Sequence, residues 1–127
     1  MSQAQITVIT RLVEEVLAGG DLGVVDELYV PRMAPVARRW IEPFRASFPD
    51  ARMQIVQVVA SQDAIAVRFR CSGTHIGPWL GHPPTGLRFE NIDEVYFFTF
   101  EDGLIAKAWG LEDNLERFRQ LQIDPFL

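Results

Sequence analysis

The order of apolar patterns along this 127-residue chain predicts an α+β fold. In the first third, apolar residues recur at three- and four-residue steps, as they do in amphipathic helices. From about residue 51 they alternate with polar residues, as in strands, and the last segment returns to helical spacing. We expect three helices, four antiparallel strands and a closing helix, all in one domain of residues 1–127. A bent sheet with helices on its concave side would form a cone around a central cavity, where a hydrophobic small molecule would fit.

The first two helices have recognisable ends. The apolar stripe of the first helix consists of Ile6, Ile9, Val13, Val16 and Leu17. Gly19 and Gly20 end this helix, because glycine readily adopts the backbone conformation that follows a helix. Asp21 then caps a shorter helix, which Pro31 stops.

A third helix is expected from about Pro35. One face of it would present Val36, Trp40, Phe44 and Phe48. Pro43 lies inside this pattern, where it removes a backbone donor and clashes with the carbonyl of Arg39. The sequence therefore predicts a kink or a restart of the helix near residue 43.

Two alternating runs, ARMQIVQVVAS and AIAVRFRCSG, flank a predicted turn at residues 62–63. In the second run, one face consists of Ile65, Val67, Phe69 and Cys71. The other face is more polar, which indicates a half-exposed antiparallel strand with Arg68 and Arg70 on its outer side. There the arginines could pair with Glu90 or Glu94, across a strand or across a dimer interface.

The third strand, LRFENIDEVYFFTF, is long and irregular. Its alternation blurs between Ile92 and Val95, which predicts a bulge or a strong bend. Asp102 and Gly103 follow as a two-residue hairpin turn, and LIAKAWGL forms the fourth strand. The apolar residues of the terminal helix are Leu115, Phe118 and Leu121.

Composition excludes several classes of partner. A net charge of −5 argues against nucleic acid, because nucleic-acid binding needs a basic surface. Cys71 is the only cysteine, so an internal disulfide is impossible and a cytoplasmic location is expected. No apolar run is long enough to span a membrane, and the N-terminus lacks the pattern of a signal peptide.

The segment GTHIGPWLGHPPTG, residues 73–86, joins two strands and combines glycines and prolines with two histidines and a tryptophan. The glycines and prolines favour a rigid loop. His75 keeps the parity of the covered strand face, whereas His82 is expected to be exposed. The spacing of the two histidines is not that of a metal site, so we expect no bound metal.

These motifs resemble those of the SnoaL-like polyketide cyclases of the NTF2-like superfamily. The resemblance covers about residues 44–122 and includes FPD at 48–50, GTHIGPWLGHPPTG, FTFEDGLIAKAW, and an aspartate four residues after Trp109. It implies an α+β cone that is usually dimeric through its sheet. It also implies an intramolecular aldol reaction on a hydrophobic polyketide-type molecule, without a cofactor. In the cyclases the aspartate of Trp-x-x-x-Asp is the proposed acid/base, and that position is Asp113 here.

Asp113 has two interpretations of equal weight. Asp113 and Glu116 fit a capping box at the start of the terminal helix, which is a structural role. Trp109 lies four residues earlier, so both residues would share one strand face if the strand extends that far. Desolvation inside a cavity would then prepare Asp113 for acid/base work. One residue can also serve both roles.

The residues expected to contact the substrate are His75, Trp79, Asn91, Asp93 and Trp109. Asn91 and Asp93 share strand parity with Phe89, so a concave position would make Asp93 a second buried acid. If the bulge falls between them, both residues are instead exposed and have no role in the site.

Three functional hypotheses follow from the sequence. The first is a cofactor-independent cyclase-like enzyme that uses Asp113. The second is a binding or dimerisation module of the same fold that holds an apolar ligand without converting it. The third is an isomerase, a hydroxylase-like protein or an epoxide hydrolase with a different acid pair, such as Asp93 with Asp113. The fold alone does not choose among them.

Overall fold

The computed structural model describes residues 2–127, with side chains from residue 3. The helical part of the chain contains four α-helices with irregular helical turns between the first two. The α-helices are α1 (Ser2–Arg11), α2 (Val25–Leu28), α3 (Ala34–Ser47) and α4 (Asn114–Leu121). A π-helical segment, Leu12–Ala18, continues α1, and a 3-10 turn, Leu22–Val24, precedes α2. The chain order of helices, strands and closing helix is the one predicted from the sequence.

The predicted ends of the first helices are confirmed. The π-helical segment stops at Ala18, and the following Gly20 has a positive φ of 75°. The Asp21 carboxylate accepts a hydrogen bond from the Gly23 amide and so caps the 3-10 turn. The predicted apolar stripe packs against the sheet, because Ile9, Val13, Val16 and Leu17 are all buried.

The predicted restart of the helix at Pro43 is wrong, and the predicted kink there stays a prediction. α3 runs unbroken from Ala34 to Ser47 with Pro43 inside it. The buried positions of α3 are Ala34, Ala37, Ile41 and Ser47, with Phe48 just beyond the helix. The predicted aromatic face is confirmed only in its second half. Val36 and Trp40 are more than a third exposed, whereas Phe44 packs against the core and Phe48 is fully buried.

Four antiparallel strands form one sheet in the order β1-β2-β3-β4. Their bounds are β1 (Arg52–Ala60), β2 (Ala64–Thr74), β3 (Arg88–Glu101) and β4 (Leu104–Glu112). The expected turn at residues 102–103 is confirmed, and both of its residues have positive φ. The sheet curves around the N-terminal helices, and the side chains on its concave face form the main core.

The predicted bulge in β3 lies slightly earlier than the sequence pattern suggested. Cys71 faces Ile92 and Gly73 faces Phe89, so one residue of β2 opposes two residues of β3, Glu90 and Asn91. Asn91 has a φ of 56°, in the left-handed region. The extra residue reverses the parity of β3, and the alternation after Ile92 continues in the opposite phase from that before Glu90.

The parity change decides which face each later residue of β3 occupies. The concave face carries Ile92, Glu94, Tyr96, Phe98 and Phe100, and the facing positions of β4 are Ala108, Gly110 and Glu112. The convex face carries Asp93, Val95 and Phe97. Asp93 therefore lies outside the core, and the acid that β3 buries is Glu94.

The closing helix packs differently from the pattern of its apolar residues. Leu121 is buried and Phe118 is partly buried, but Leu115 is 70% exposed. Arg117 is instead the side chain of α4 that penetrates the protein, with 1% of its surface exposed. It lies against a second core that includes Phe48 and Phe89. In residues 2–127, no helix combines the length and the apolar character needed to cross a membrane.

Candidate active site

A cavity of about 250 Å³ lies between the N-terminal helices and the concave face of the sheet. Apolar side chains form most of its wall: Leu12, Val13, Leu17, Trp40, Met53, Phe69, Phe98 and Ala108. The first helix, α3 and all four strands contribute to this wall, as expected for a cone with a central cavity. Tyr96 and Glu112 are the lining residues that bring a hydroxyl and a carboxylate to it.

Tyr96 and Glu112 form a hydrogen-bonded acid pair at the cavity. The Tyr96 hydroxyl donates to the Glu112 Oε2 atom over 2.9 Å. Gly110 lies opposite Tyr96 on the neighbouring strand, and a Cβ at this position would overlap the tyrosine ring. The missing side chain of Gly110 thus allows the Tyr96 ring to lie across the sheet towards Glu112.

Arg117 of α4 completes this polar network from the opposite side. Its guanidinium donates to Glu112 Oε1 at 3.0 Å and to Glu94 Oε2 at 2.5 Å. Arg117 and Glu94 are each almost fully buried, whereas the Glu112 side chain is 31% exposed. Asn114 also accepts a hydrogen bond from Arg117. The guanidinium lies 4.7 Å from the ring centre of Phe89, a cation–π contact that stabilises its buried charge.

Two carboxylates therefore share one guanidinium, and of the two only Glu94 is desolvated. Burial, together with the negative charge of Glu112, raises the pKa of Glu94 to about 7. Burial also raises the pKa of the Tyr96 hydroxyl, and the charges of Glu94 and Glu112 act in the same direction. Tyr96 therefore keeps its proton and is a hydrogen-bond donor at neutral pH. The pKa of Glu94, in contrast, lies close to neutral pH.

The structure places Asp113 at the helix cap. Its carboxylate accepts a hydrogen bond from the Glu116 amide over 3.1 Å, and its own amide donates to the Asp93 carbonyl. The side chain is exposed and does not line the cavity. β4 ends at Glu112, so Asp113 does not share a strand face with Trp109. The residue just before Asp113 is the one that points into the cavity.

Trp109 and Asp93 lie on the convex face, away from the cavity. Trp109 is 56% exposed and packs beside Phe97, with ring centres 5.8 Å apart. Asp93 pairs with Arg68 at 2.9 Å and with Arg70 at 3.8 Å. The expected pairing of these arginines with Glu90 or Glu94 across a strand is therefore wrong, because the bulge turns Glu94 inward and Asp93 outward. A pairing across a dimer interface stays a prediction.

His75 and Trp79 belong to the second core rather than to the cavity. His75 is fully buried, as its strand parity predicted, and its Nδ1 atom lies 3.1 Å from both the hydroxyl and the amide nitrogen of Thr85. Burial lowers the pKa of His75. Trp79 packs on Phe118 and lies 5.7 Å from the Arg117 guanidinium. Trp79 therefore contacts the network from behind, and His75 packs beside Trp79 in the second core.

Asn91 lines a different depression, a polar groove beside β1. The backbone amide of Asn91 donates a hydrogen bond to the Ser72 hydroxyl at 3.0 Å, and this bond holds the bulge in place. The described residues contain no group of three or more His, Cys, Asp and Glu side chains that could hold a metal ion.

The sequence reasoning did not single out Tyr96, Glu112, Glu94 or Arg117 for the site. A usable signal was present, because Glu94 and Tyr96 have the same parity as Phe98 when counted backwards from the hairpin turn. Arg117 carried no such signal, since an arginine in a polar helix is normally exposed.

The chain belongs to the family of SnoaL-like polyketide cyclases, whose sequence model matches residues 7–121. No curated protein matches it.

Solved structures agree with this assignment. TsrD from Streptomyces laurentii superposes with a TM-score of 0.88 at 24% identity, covering 95% of this chain and 96% of the other. A proposed SnoaL-like cyclase from Jannaschia sp. CCS1 superposes with a TM-score of 0.86 at 22% identity, covering 97% of this chain and 94% of the other. IdmH from Streptomyces antibioticus, a proposed polyketide cyclase, gives 0.77 at 26% identity, covering 94% and 99%. The NTF2-like cone inferred from the motifs is confirmed.

Proposed function

We propose that this protein is a cofactor-independent acid/base enzyme that binds a hydrophobic small molecule in the central cavity. The observation that supports it is the contact of the Tyr96 hydroxyl with the Glu112 carboxylate at an otherwise apolar wall. A base beside a neutral hydrogen-bond donor is the arrangement that enolisation of a ketone requires. Family membership and the likeness to IdmH support a ring-closing aldol reaction as the chemistry.

In this mechanism the Glu112 carboxylate takes a proton from the carbon next to a carbonyl group of the substrate. The electron pair of that C–H bond forms the carbon–carbon double bond of an enolate, and the carbonyl π electrons move to its oxygen. The Tyr96 hydroxyl turns from Glu112 Oε2 and donates its one hydrogen bond to this oxygen, which frees the carboxylate oxygen to take the proton. The enolate carbon then attacks a second carbonyl of the same molecule and forms the new C–C bond. The resulting alkoxide recovers the proton from Glu112 and becomes an alcohol, so no oxidant or cofactor is consumed.

Arg117 and Glu94 would hold the base in position. Arg117 donates to the Glu112 oxygen that Tyr96 does not use, so the carboxylate has one fixed orientation. Glu94 accepts a hydrogen bond from the same guanidinium and so offsets its charge next to Glu112.

The test compares Glu112→Gln, Tyr96→Phe and Asp113→Asn. Small aromatic diketones that can close a ring by internal aldol addition serve as substrates. Deuterium exchange at the acidic carbon and ring closure are both followed by NMR. We expect Glu112→Gln to lower exchange by about a hundredfold or more and Asp113→Asn to change it only a few-fold. The catalytic role of Asp113 stays a prediction of the motif. It would replace our assignment if Asp113→Asn abolished exchange and Glu112→Gln did not.

A non-catalytic binding module is the second candidate. The observation that favours it is that both oxygens of Glu112 already accept hydrogen bonds, one from Arg117 and one from Tyr96. A carboxylate with both oxygens occupied is less available as a base. This function predicts that the cavity retains an apolar ligand and releases it unchanged, with no deuterium exchange in wild-type protein.

We also propose a homodimer through the convex face of the sheet. Its β3–β4 half carries an apolar patch of Val95, Phe97, Trp109 and Leu111. Val95 is half-buried and the other three are exposed, with Leu111 at 65%. Light scattering should give twice the monomer mass, and Trp109→Glu should lower it to that of the monomer. Ile76→Glu, at an exposed apolar residue outside the patch, is the matched control. A monomeric wild-type protein would contradict this assignment.

A cytoplasmic location and an unassisted reaction without cofactor remain predictions. The single, buried Cys71 is compatible with a reducing compartment. Cell fractionation and mass spectrometry of the purified native protein test the two predictions.

A further inference from the structure

The central cavity opens to solvent between α3 and the edge strand β4. Most of its lining residues are buried or half-buried, but Trp40 and Ala108 are exposed, and the Glu112 side chain is 31% exposed. A residue that lines a cavity and also reaches solvent lies at the rim of that cavity. Trp40 belongs to α3, whereas Ala108 and Glu112 belong to β4, so these three residues mark the mouth.

The two sides of the mouth differ in the size of their side chains. Trp40 contributes a large flat indole, of which 38% remains exposed. On the concave face of β4 the residues before Glu112 are Ala108 and Gly110. The Tyr96 ring fills the space beside Gly110, but Ala108 carries no large side chain that could close the mouth.

The cavity is small for the substrate site of an enzyme. An apolar cavity of roughly 150 Å³ holds benzene, and sites for small molecules usually span roughly 300–1,000 Å³. The volume of about 250 Å³ therefore suits a body of about one or two fused rings. A longer ring system would extend through the mouth, past Trp40 and Ala108.

We propose that Trp40 determines the size of the substrate: the inner part of a flat ring system fills the cavity, and its outer ring stacks on the Trp40 indole at the mouth. This inference rests on the proposed function, because it takes the cavity as the substrate site. Two aromatic rings in contact gain stability beyond the area that they bury. None of the four residues of the convex patch lines the cavity, so a dimer through that patch would not cover the mouth.

The test uses aryl methyl ketones with one ring and with three fused rings. Equilibrium dialysis gives the dissociation constants of both ketones for wild-type protein and for Trp40→Ala, Trp40→Phe and Ala108→Leu. Val36→Ala is the matched control, because Val36 lies one turn earlier on α3, is 40% exposed and does not line the cavity. Urea unfolding of each variant checks that the fold is retained.

We expect wild-type protein to bind the three-ring ketone more tightly than the one-ring ketone. Trp40→Ala should weaken the three-ring ketone by about threefold to tenfold more than the one-ring ketone, and Trp40→Phe should recover most of this loss. Ala108→Leu should weaken the three-ring ketone by about tenfold, because the added side chain narrows the mouth. Val36→Ala should change neither constant.

Three results would overturn this role of Trp40. The first is a three-ring ketone that binds wild-type protein no more tightly than the one-ring ketone, because the ligand would then end inside the cavity. The second is an equal loss for both ketones in Trp40→Ala, which would make Trp40 an ordinary part of the wall. The third is an equal loss in Val36→Ala, which would trace the effect to the apolar surface of α3 in general.

Deuterium exchange into the methyl group of the one-ring ketone tests the proposed function in the same samples. Exchange that requires Glu112 but shows no preference for ring number overturns only the role of Trp40. Absence of both binding and exchange overturns the proposed function together with this inference.

Discussion

Replacing Glu94 with glutamine changes the pH dependence of folding in a direction that the buried network fixes. The pKa of Glu94 is about 7 in the folded protein, whereas an ordinary glutamate has 4.5. Between these values the folded state keeps a proton that the unfolded chain has released. This contribution to stability is fully present below pH 4.5 and is lost as the pH rises through about 7. The difference between the two pKa values corresponds to about 3 kcal/mol in the free energy of unfolding. Solvent screening does not reduce this value, because the Glu94 side chain is only 2% exposed.

Urea unfolding of wild-type protein and Glu94→Gln at several pH values from 4.5 to about 8 measures this effect. Glutamine retains an oxygen that can accept from Arg117 but does not titrate. The stability of wild type minus that of the variant should fall by about 3 kcal/mol across this range. The subtraction removes the titration of His75, whose pKa is lowered by burial and whose effect has the opposite sign. If the difference instead rises with pH, Arg117 dominates, the pKa of Glu94 is depressed, and our account of the network is wrong.

Two further changes test other parts of the structure. Gly110→Ala should cost about 1–3 kcal/mol in urea unfolding, because the added methyl group overlaps the ring of Tyr96; an unchanged midpoint would contradict this close approach. Asp113→Ala should cost about 1 kcal/mol through loss of the helix cap, and Asp113→Asn, which can still cap, should restore most of it.

The fold was predictable because its signals are local. The alternation of Ile65, Val67, Phe69 and Cys71 identified the buried face of β2, and all four residues are buried. Turn residues marked the hairpins, as at residues 102–103. The sequence predicted a restart at Pro43 because proline disfavours the interior of a helix, and the packing of that helix could not be seen in the sequence. Here the packing of the buried face of α3 outweighs one missing hydrogen bond.

The site was less predictable because it depends on a single inserted residue. Counting forward from Phe89 assigns Asp93 to the inner face, whereas the bulge at Glu90 and Asn91 places Glu94 there. A one-residue change in register exchanges every side chain between the two faces of a strand. The motif had the same weakness at β4, where the strand ends one residue before Asp113 and the inward acid is Glu112.

The closing helix α4 is part of the proposed site, although no residue of α4 lines the cavity. Glu94 and Glu112 face each other on neighbouring strands, and two facing carboxylates repel each other without a cation between them. Only Arg117 supplies that cation within the described network, and it reaches them because Leu121 anchors the helix in the second core. The Asp113 cap fixes the start of the same helix. We therefore propose that Asp113 supports the acid pair through the position of α4, whereas its direct contact with substrate stays a prediction of the motif.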